Sequence, residues 1–64
     1  MQWADISEIA IELFDNHPDI DPLTVNFVDL RQWVLALPDF EGDPDRCGEK
    51  LLEAIQAAWI EELD

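Results

Sequence analysis

Residues 5–18 read DISEIAIELFDNHP, and the order of apolar and polar positions in this stretch decides which kind of fold the chain can make. Ile6, Ile9, Ala10, Leu13 and Phe14 recur at spacings of three and four, the pattern of a helix with one buried face. Asp5 followed by Glu8 has the form of a capping box, with Asp5 as N-cap. Pro18 lacks an N–H and disfavours helical geometry at His17, so the spacing predicts a first helix over residues 6–16.

Beyond the helix, Pro18-Asp19-Ile20-Asp21-Pro22 reads as a turn, with Asp21 and Pro22 able to open a short turn of helix as cap and first helical residue. Val25, Asn26, Phe27 and Val28 are β-branched or aromatic in three of four positions, which permits an extended segment with no partner strand in view. A second helix is predicted over residues 29–37, where Leu30, Trp33, Val34 and Leu37 form one stripe and Pro38 follows. Pro38 to Asp45 holds two prolines, a glycine and four acids and reads as a loop anchored by Phe40. Asp43-Pro44 is predicted to start the last helix, in which Leu51, Leu52, Ile55, Ala58 and Trp59 share a face as far as Glu62. The expected fold is all-α: one domain over residues 1–64, a compact three-helix bundle of helix-turn-helix type.

Composition limits function. Sixteen acidic residues oppose three basic ones, Arg31, Arg46 and Lys50, for a net charge of -13. Such a chain repels nucleic acid phosphates and anionic lipid, so the helix-turn-helix order does not imply DNA binding, and the expected partner is cationic. With 48% hydrophobic residues, including Trp3, Trp33 and Trp59, it is too apolar for a disordered acidic tail. Trp33 and Trp59 fall on the apolar stripes, Trp3 is expected to pack back over the bundle, and Phe27 or Leu35 stands as a contact residue. One cysteine, Cys47, makes no internal disulfide, and no basic region with an apolar run opens the chain, so a reducing cytoplasm is the expected setting. Like-charge repulsion favours a monomer.

On the first helix, Asp5, Glu8, Glu12 and Asp15 line one ridge away from the apolar stripe, and Asp19 and Asp21 follow directly after it. Like charges three or four apart cost roughly 0.2–0.5 kcal/mol per pair, and Asp15 also opposes the helix dipole. The ridge is therefore either a solvated face or a carboxylate surface for something positive. Carboxylate oxygens are hard ligands, which makes Glu8, Glu12, Asp15, Asp19 and Asp21 candidates for weak metal contact, although their spacing matches no EF-hand loop. His17, the sole histidine, reads as a surface residue. Cys47 reads as a packing or surface residue whose thiol pKa the dipole of the last helix could lower. No Gly-rich phosphate loop, nucleophile elbow or zinc spacing is present, and a solvated ridge offers no cleft for a carboxylate pair, so no enzyme activity is expected.

Several separated strings then add a resemblance: W-x-D at Trp3 to Asp5, PDIDPLTVNFVDLRQWV, LPDF followed by DP, and EKLLEAIQAAWIEE. In order and spacing they resemble the IscX family of small acidic iron–sulfur cluster assembly proteins over essentially the whole chain. The resemblance implies a modified winged-helix fold without DNA binding. It also implies docking on the cysteine desulfurase IscS, at a basic surface used too by bacterial frataxin, and weak binding of ferrous or ferric iron. The implied role is adaptor or regulator; the desulfurase carries the pyridoxal phosphate chemistry, and no tightly bound cofactor is expected here. The acids matching the family pattern are Asp5, Glu8, Asp19, Asp21, Asp29, Asp39 and Asp43, to which the ridge adds Glu12 and Asp15. The chain departs from that pattern at Val28, where a hydroxyl residue is common, at Arg31, where a histidine is common, and at Glu41-Gly42, where the loop is more acidic. An alternative of a different class is an acidic decoy that mimics nucleic acid and inhibits a basic DNA-binding protein.

Overall fold

The computed structural model describes residues 1–63, in the order α1 (Ile6–Asn16), α2 (Phe27–Leu35), a short 3-10 turn (Pro44–Arg46) and α3 (Glu49–Glu62). The all-α expectation holds, with α1 and α3 forming the main packed pair and α2 laid against both. No strand forms among the described residues, so no β-hairpin wing accompanies the three helices.

α1 keeps its sequence-predicted limits but not its predicted cap. Asp5 turns its Oδ2 back to accept the Gln2 backbone N–H at 2.8 Å, and no side chain caps the helix. The Asp5 N–H is itself bonded to the Gln2 carbonyl at 3.0 Å, which removes the donor that Glu8 needs for a capping box. At the other end the His17 N–H reaches the Leu13 carbonyl at 2.9 Å before Pro18 stops the helix. Asp21 makes its turn as expected: Oδ1 accepts the Leu23 N–H at 3.0 Å, and its carbonyl accepts both the N–H and the hydroxyl of Thr24. The segment does not become helical, and buried Pro22 offers its carbonyl to Gln56 Nε2 at 2.7 Å, pinning the turn to α3.

α2 begins and ends two residues earlier than the apolar stripe indicates. Asn26 is the reason: its Oδ1 accepts the Asp29 N–H at 2.9 Å while its Nδ2 donates to Asp29 Oδ2 at 3.1 Å, a reciprocal cap that draws Phe27 and Val28 into the first turn. The cap residue Asn26 is extended, Phe27 and Val28 are helical, and Val28 is left largely exposed. Asp43-Pro44 does not start the last helix. Asp43 Oδ1 accepts the Asp45 N–H at 2.9 Å to cap the 3-10 turn, Cys47 and Gly48 are then extended, and α3 starts at Glu49 with Gly48 as an N-cap that has no side chain to contribute.

The core is Ile9, Ala10, Leu13, Leu30, Val34, Leu37, Leu52, Ile55 and Trp59, with Trp3 closing one end. Burying side chains of this size stabilises by roughly 1.5–3 kcal/mol each, and no buried side-chain polar atom among the described residues lacks a partner. Trp33 is half-buried, edge-on to Trp59 at 6.2 Å on one side and facing His17 at 5.1 Å on the other. Phe27 and Leu35 pack against the core instead of standing out for contact. Phe14 is the converse: assigned by spacing to the buried stripe, it lies at the edge of it, 38% exposed.

The 38–45 loop is held from the N-terminus. The Met1 ammonium donates to the Asp39 carbonyl at 2.6 Å, the Glu41 N–H to the Met1 carbonyl at 2.8 Å, and Trp3 Nε1 to the Asp43 carbonyl at 2.7 Å. Phe40 anchors the loop edge-on to Trp3, with ring centroids 4.7 Å apart. Gly42 passes so near both rings that a Cβ there would stand 2.3 Å from Phe40 and 2.8 Å from Trp3.

Candidate functional site

The nine candidate carboxylates all lie at the surface, Glu12 half-buried and the other eight exposed, but the fold gives them different work. Asp5, Asp21, Asp29 and Asp43 each spend an oxygen on a nearby backbone or amide donor, shaping a turn or a cap. Glu12 sits lower on the ridge, where its Oε2 accepts from Asn16 Nδ2 at 3.3 Å. Asp39 serves the fold through its carbonyl, not its carboxylate. That leaves Glu8, Asp15, Asp19 and Asp39 exposed, with no donor or cation engaging their carboxylates among the described residues.

Helix geometry brings Glu8, Glu12 and Asp15 to one side of α1, at a rise of about 1.5 Å per residue. Asp19 and Asp21 occupy the turn beyond its C-terminal end. Asp39 and Asp43 are tied through their carbonyls to Met1 and Trp3, which places them beyond its N-terminal end. The acids are thus spread along and past the helix. Among the described residues no three His, Cys, Asp or Glu side chains converge as a metal site, so Glu8, Glu12, Asp15, Asp19 and Asp21 do not fit a resident chelated ion.

Cations do little to offset this field. The one ion pair among the described residues joins Arg46 Nε to Asp43 Oδ2 at 3.8 Å, both side chains well exposed, a geometry that contributes little. Arg31 turns towards the 3-10 turn and donates to the Pro44 carbonyl at 2.8 Å. Cys47 is half-buried beside it. Desolvation pushes the thiol pKa up, with the Arg31 charge opposing in part, so the lowering expected from the dipole of the last helix is reversed. His17, read from the sequence as a surface residue, is half-buried instead, its ring tilted at 30° to Trp33.

Two features of this surface escape the apolar stripe. Ile11 is 47% exposed beside Glu8 and Asp15, a position legible from helix spacing because it falls well off the buried face. Asn26, with Asp29 three positions on, signals a reciprocal cap that the β-branched run around it obscures. The described residues form no pocket, and no helix is long and apolar enough to cross a membrane.

Comparison with known proteins agrees with the resemblance carried by the sequence motifs. An uncharacterized protein of Pseudomonas aeruginosa is 62% identical over 64 residues, spanning 100% of this chain and 97% of the relative. A family model described as iron-sulphur cluster assembly matches residues 1–64. The whole of this acidic three-helix chain therefore belongs to the iron–sulphur cluster assembly family, the IscX proteins.

Proposed function

We propose that this protein is an adaptor and regulator of iron–sulfur cluster assembly that docks through its acidic face on a cysteine desulfurase. The observation that carries this reading is the set of uncommitted carboxylates at Glu8, Asp15, Asp19 and Asp39 in a chain of net charge -13. Acids that build turns or caps have a structural reason to exist; these four carboxylates cost self-repulsion and return nothing within the described fold. A basic partner surface removes that cost and, through long-range attraction, speeds encounter. Asp5, Glu12, Asp21, Asp29 and Asp43 extend the same field with oxygens left over from their local bonds.

The desulfurase surface in this reading is the basic one that bacterial frataxin also uses, so the two proteins compete. Iron is cargo, not a resident cofactor: without three converging ligands it is held by one or two carboxylates and water, hence weakly. The sulfur-releasing reaction belongs to the desulfurase, and this chain works as a cytoplasmic monomer that tunes how sulfur and iron meet.

The test is calorimetric titration of the protein into purified cysteine desulfurase at low and physiological salt, with and without ferrous iron and with bacterial frataxin as competitor. Binding is expected to weaken steeply with salt and to be displaced by frataxin. Glu8→Lys with Asp15→Lys is expected to lower affinity at least about tenfold at low salt, a loss of roughly 1.4 kcal/mol, without unfolding the protein. Absence of wild-type binding sinks the adaptor reading. Equal binding to unrelated polycationic nucleases or repressors would favour the decoy instead.

A further inference from the structure

The outer face of α1 is not uniformly acidic. Ile11 is 47% and Phe14 38% exposed, and at a spacing of three they are neighbours on the helix surface, with Cβ atoms about 5–6 Å apart. At about 100° per residue, the order around α1 from the edge of the core outward is Phe14, Ser7, Ile11, Asp15, Glu8, with Ser7 a turn nearer the N-terminus than Ile11. Ile11 is three residues from Glu8 and four from Asp15, so both uncommitted carboxylates adjoin the apolar pair. α1 therefore carries two apolar surfaces: Ile9, Ala10 and Leu13 inside, and Ile11 with Phe14 outside.

A single exposed apolar residue is ordinary. This pair is contiguous, and the β-branched Ile11 gives up helix propensity at a site where the fold returns little packing for it. The carboxylates beside it decide what can cover it. A second copy would set Glu8 and Asp15 against the same charges in a chain of net charge -13, and anionic lipid or nucleic acid is repelled in the same way. A protein surface with an apolar recess and cationic rim meets both components at once, in the mode of a helix laid into a groove.

We infer that Ile11 and Phe14 are the apolar anchors of the docking face, seated in an apolar recess of the cationic partner while Glu8 and Asp15 pair with its rim. The assignment deepens the adaptor reading and rests on it for the identity of the partner. Charge steers encounter and apolar burial holds the complex, so the two components separate by salt dependence.

The experiment is titration of wild type, Ile11→Gln, Phe14→Gln and Glu8→Lys/Asp15→Lys into cysteine desulfurase across a salt series. Glutamine keeps helix propensity and charge; circular dichroism and a thermal melt check that each variant is folded. The glutamine variants are expected to lose about tenfold in affinity at every salt concentration, with the slope of log affinity against log salt unchanged. The lysine variant is expected to flatten that slope. Wild-type binding with undiminished affinity in both glutamine variants overturns the anchor assignment and leaves the adaptor reading standing. No wild-type binding overturns both. If Phe14→Gln does not fold, the more exposed Ile11→Gln carries the test alone. Self-association of the wild type that Ile11→Gln abolishes would reassign the face to a second copy.

Discussion

Cys47 shows how much one residue's surroundings change its chemistry. It precedes α3 by two positions, where a helix dipole would favour the thiolate, but half-burial beside the loop outweighs that, and Arg31 recovers only part of the charged form's stability. The folded thiol holds its proton more tightly than the unfolded one. Its contribution to stability is therefore present below the ordinary thiol value of 9.0 and is lost as pH rises from there through the folded value. A pH–rate profile for alkylation should show a midpoint above that of a free cysteine, moving higher still in Arg31→Ala, where desolvation acts unopposed. A midpoint at or below 9.0 would contradict the burial argument.

The three α-helices are finished unequally. α2 has a reciprocal Asn26–Asp29 cap, whereas α3 starts from Gly48, whose extended φ and ψ (-115° and 164°) already suit an N-cap and whose Cβ position is open space. Asn26→Ala should destabilise the protein by about 1 kcal/mol through loss of the bond to the Asp29 N–H. Gly48→Ser should stabilise it by a few tenths of a kcal/mol through an added side-chain acceptor. Urea denaturation measures both, and midpoints moving in opposite directions are expected. A neutral Asn26→Ala would mean that the first turn of α2 is held by packing and not by its cap.

On the scale of the whole molecule, charge sets two opposite responses to salt. The protein measures 29 × 21 × 16 Å, comparable with a Debye length of about 30 Å at 0.01 M ionic strength, so in dilute buffer each carboxylate feels nearly all the others. At 0.15 M the length is about 8 Å and only near neighbours interact. Raising salt across this range should increase the melting temperature by several degrees, because screening relieves self-repulsion in the compact state. The same change should weaken docking on a cationic partner. A melting temperature that stays level would show that counterions already neutralise the acidic face in dilute buffer.

Helix content, the limits of α1, the end of α3 and the strong net negative charge were all legible in the sequence. They depend on spacing along one chain and on total charge, and neither requires knowing what lies opposite. The family was legible too, because several separated motifs agree in order. Local roles for Asp5 and Asp21 were legible in part: the sequence marks both as caps, but the structure has Asp5 accepting the Gln2 N–H and Asp21 the Leu23 N–H, while the carboxylates of Glu8 and Asp19 have no such donor among the described residues. Only tertiary structure decided that Phe14 lies at the edge of the core and partly outside it, that His17 rests on Trp33, and that Cys47 is desolvated beside Arg31. The carboxylates are committed by bonds to neighbours two to four residues away, whereas the surroundings of Phe14, His17 and Cys47 depend on contacts between segments distant in sequence, and those exist only once the helices and the loop have closed on one another.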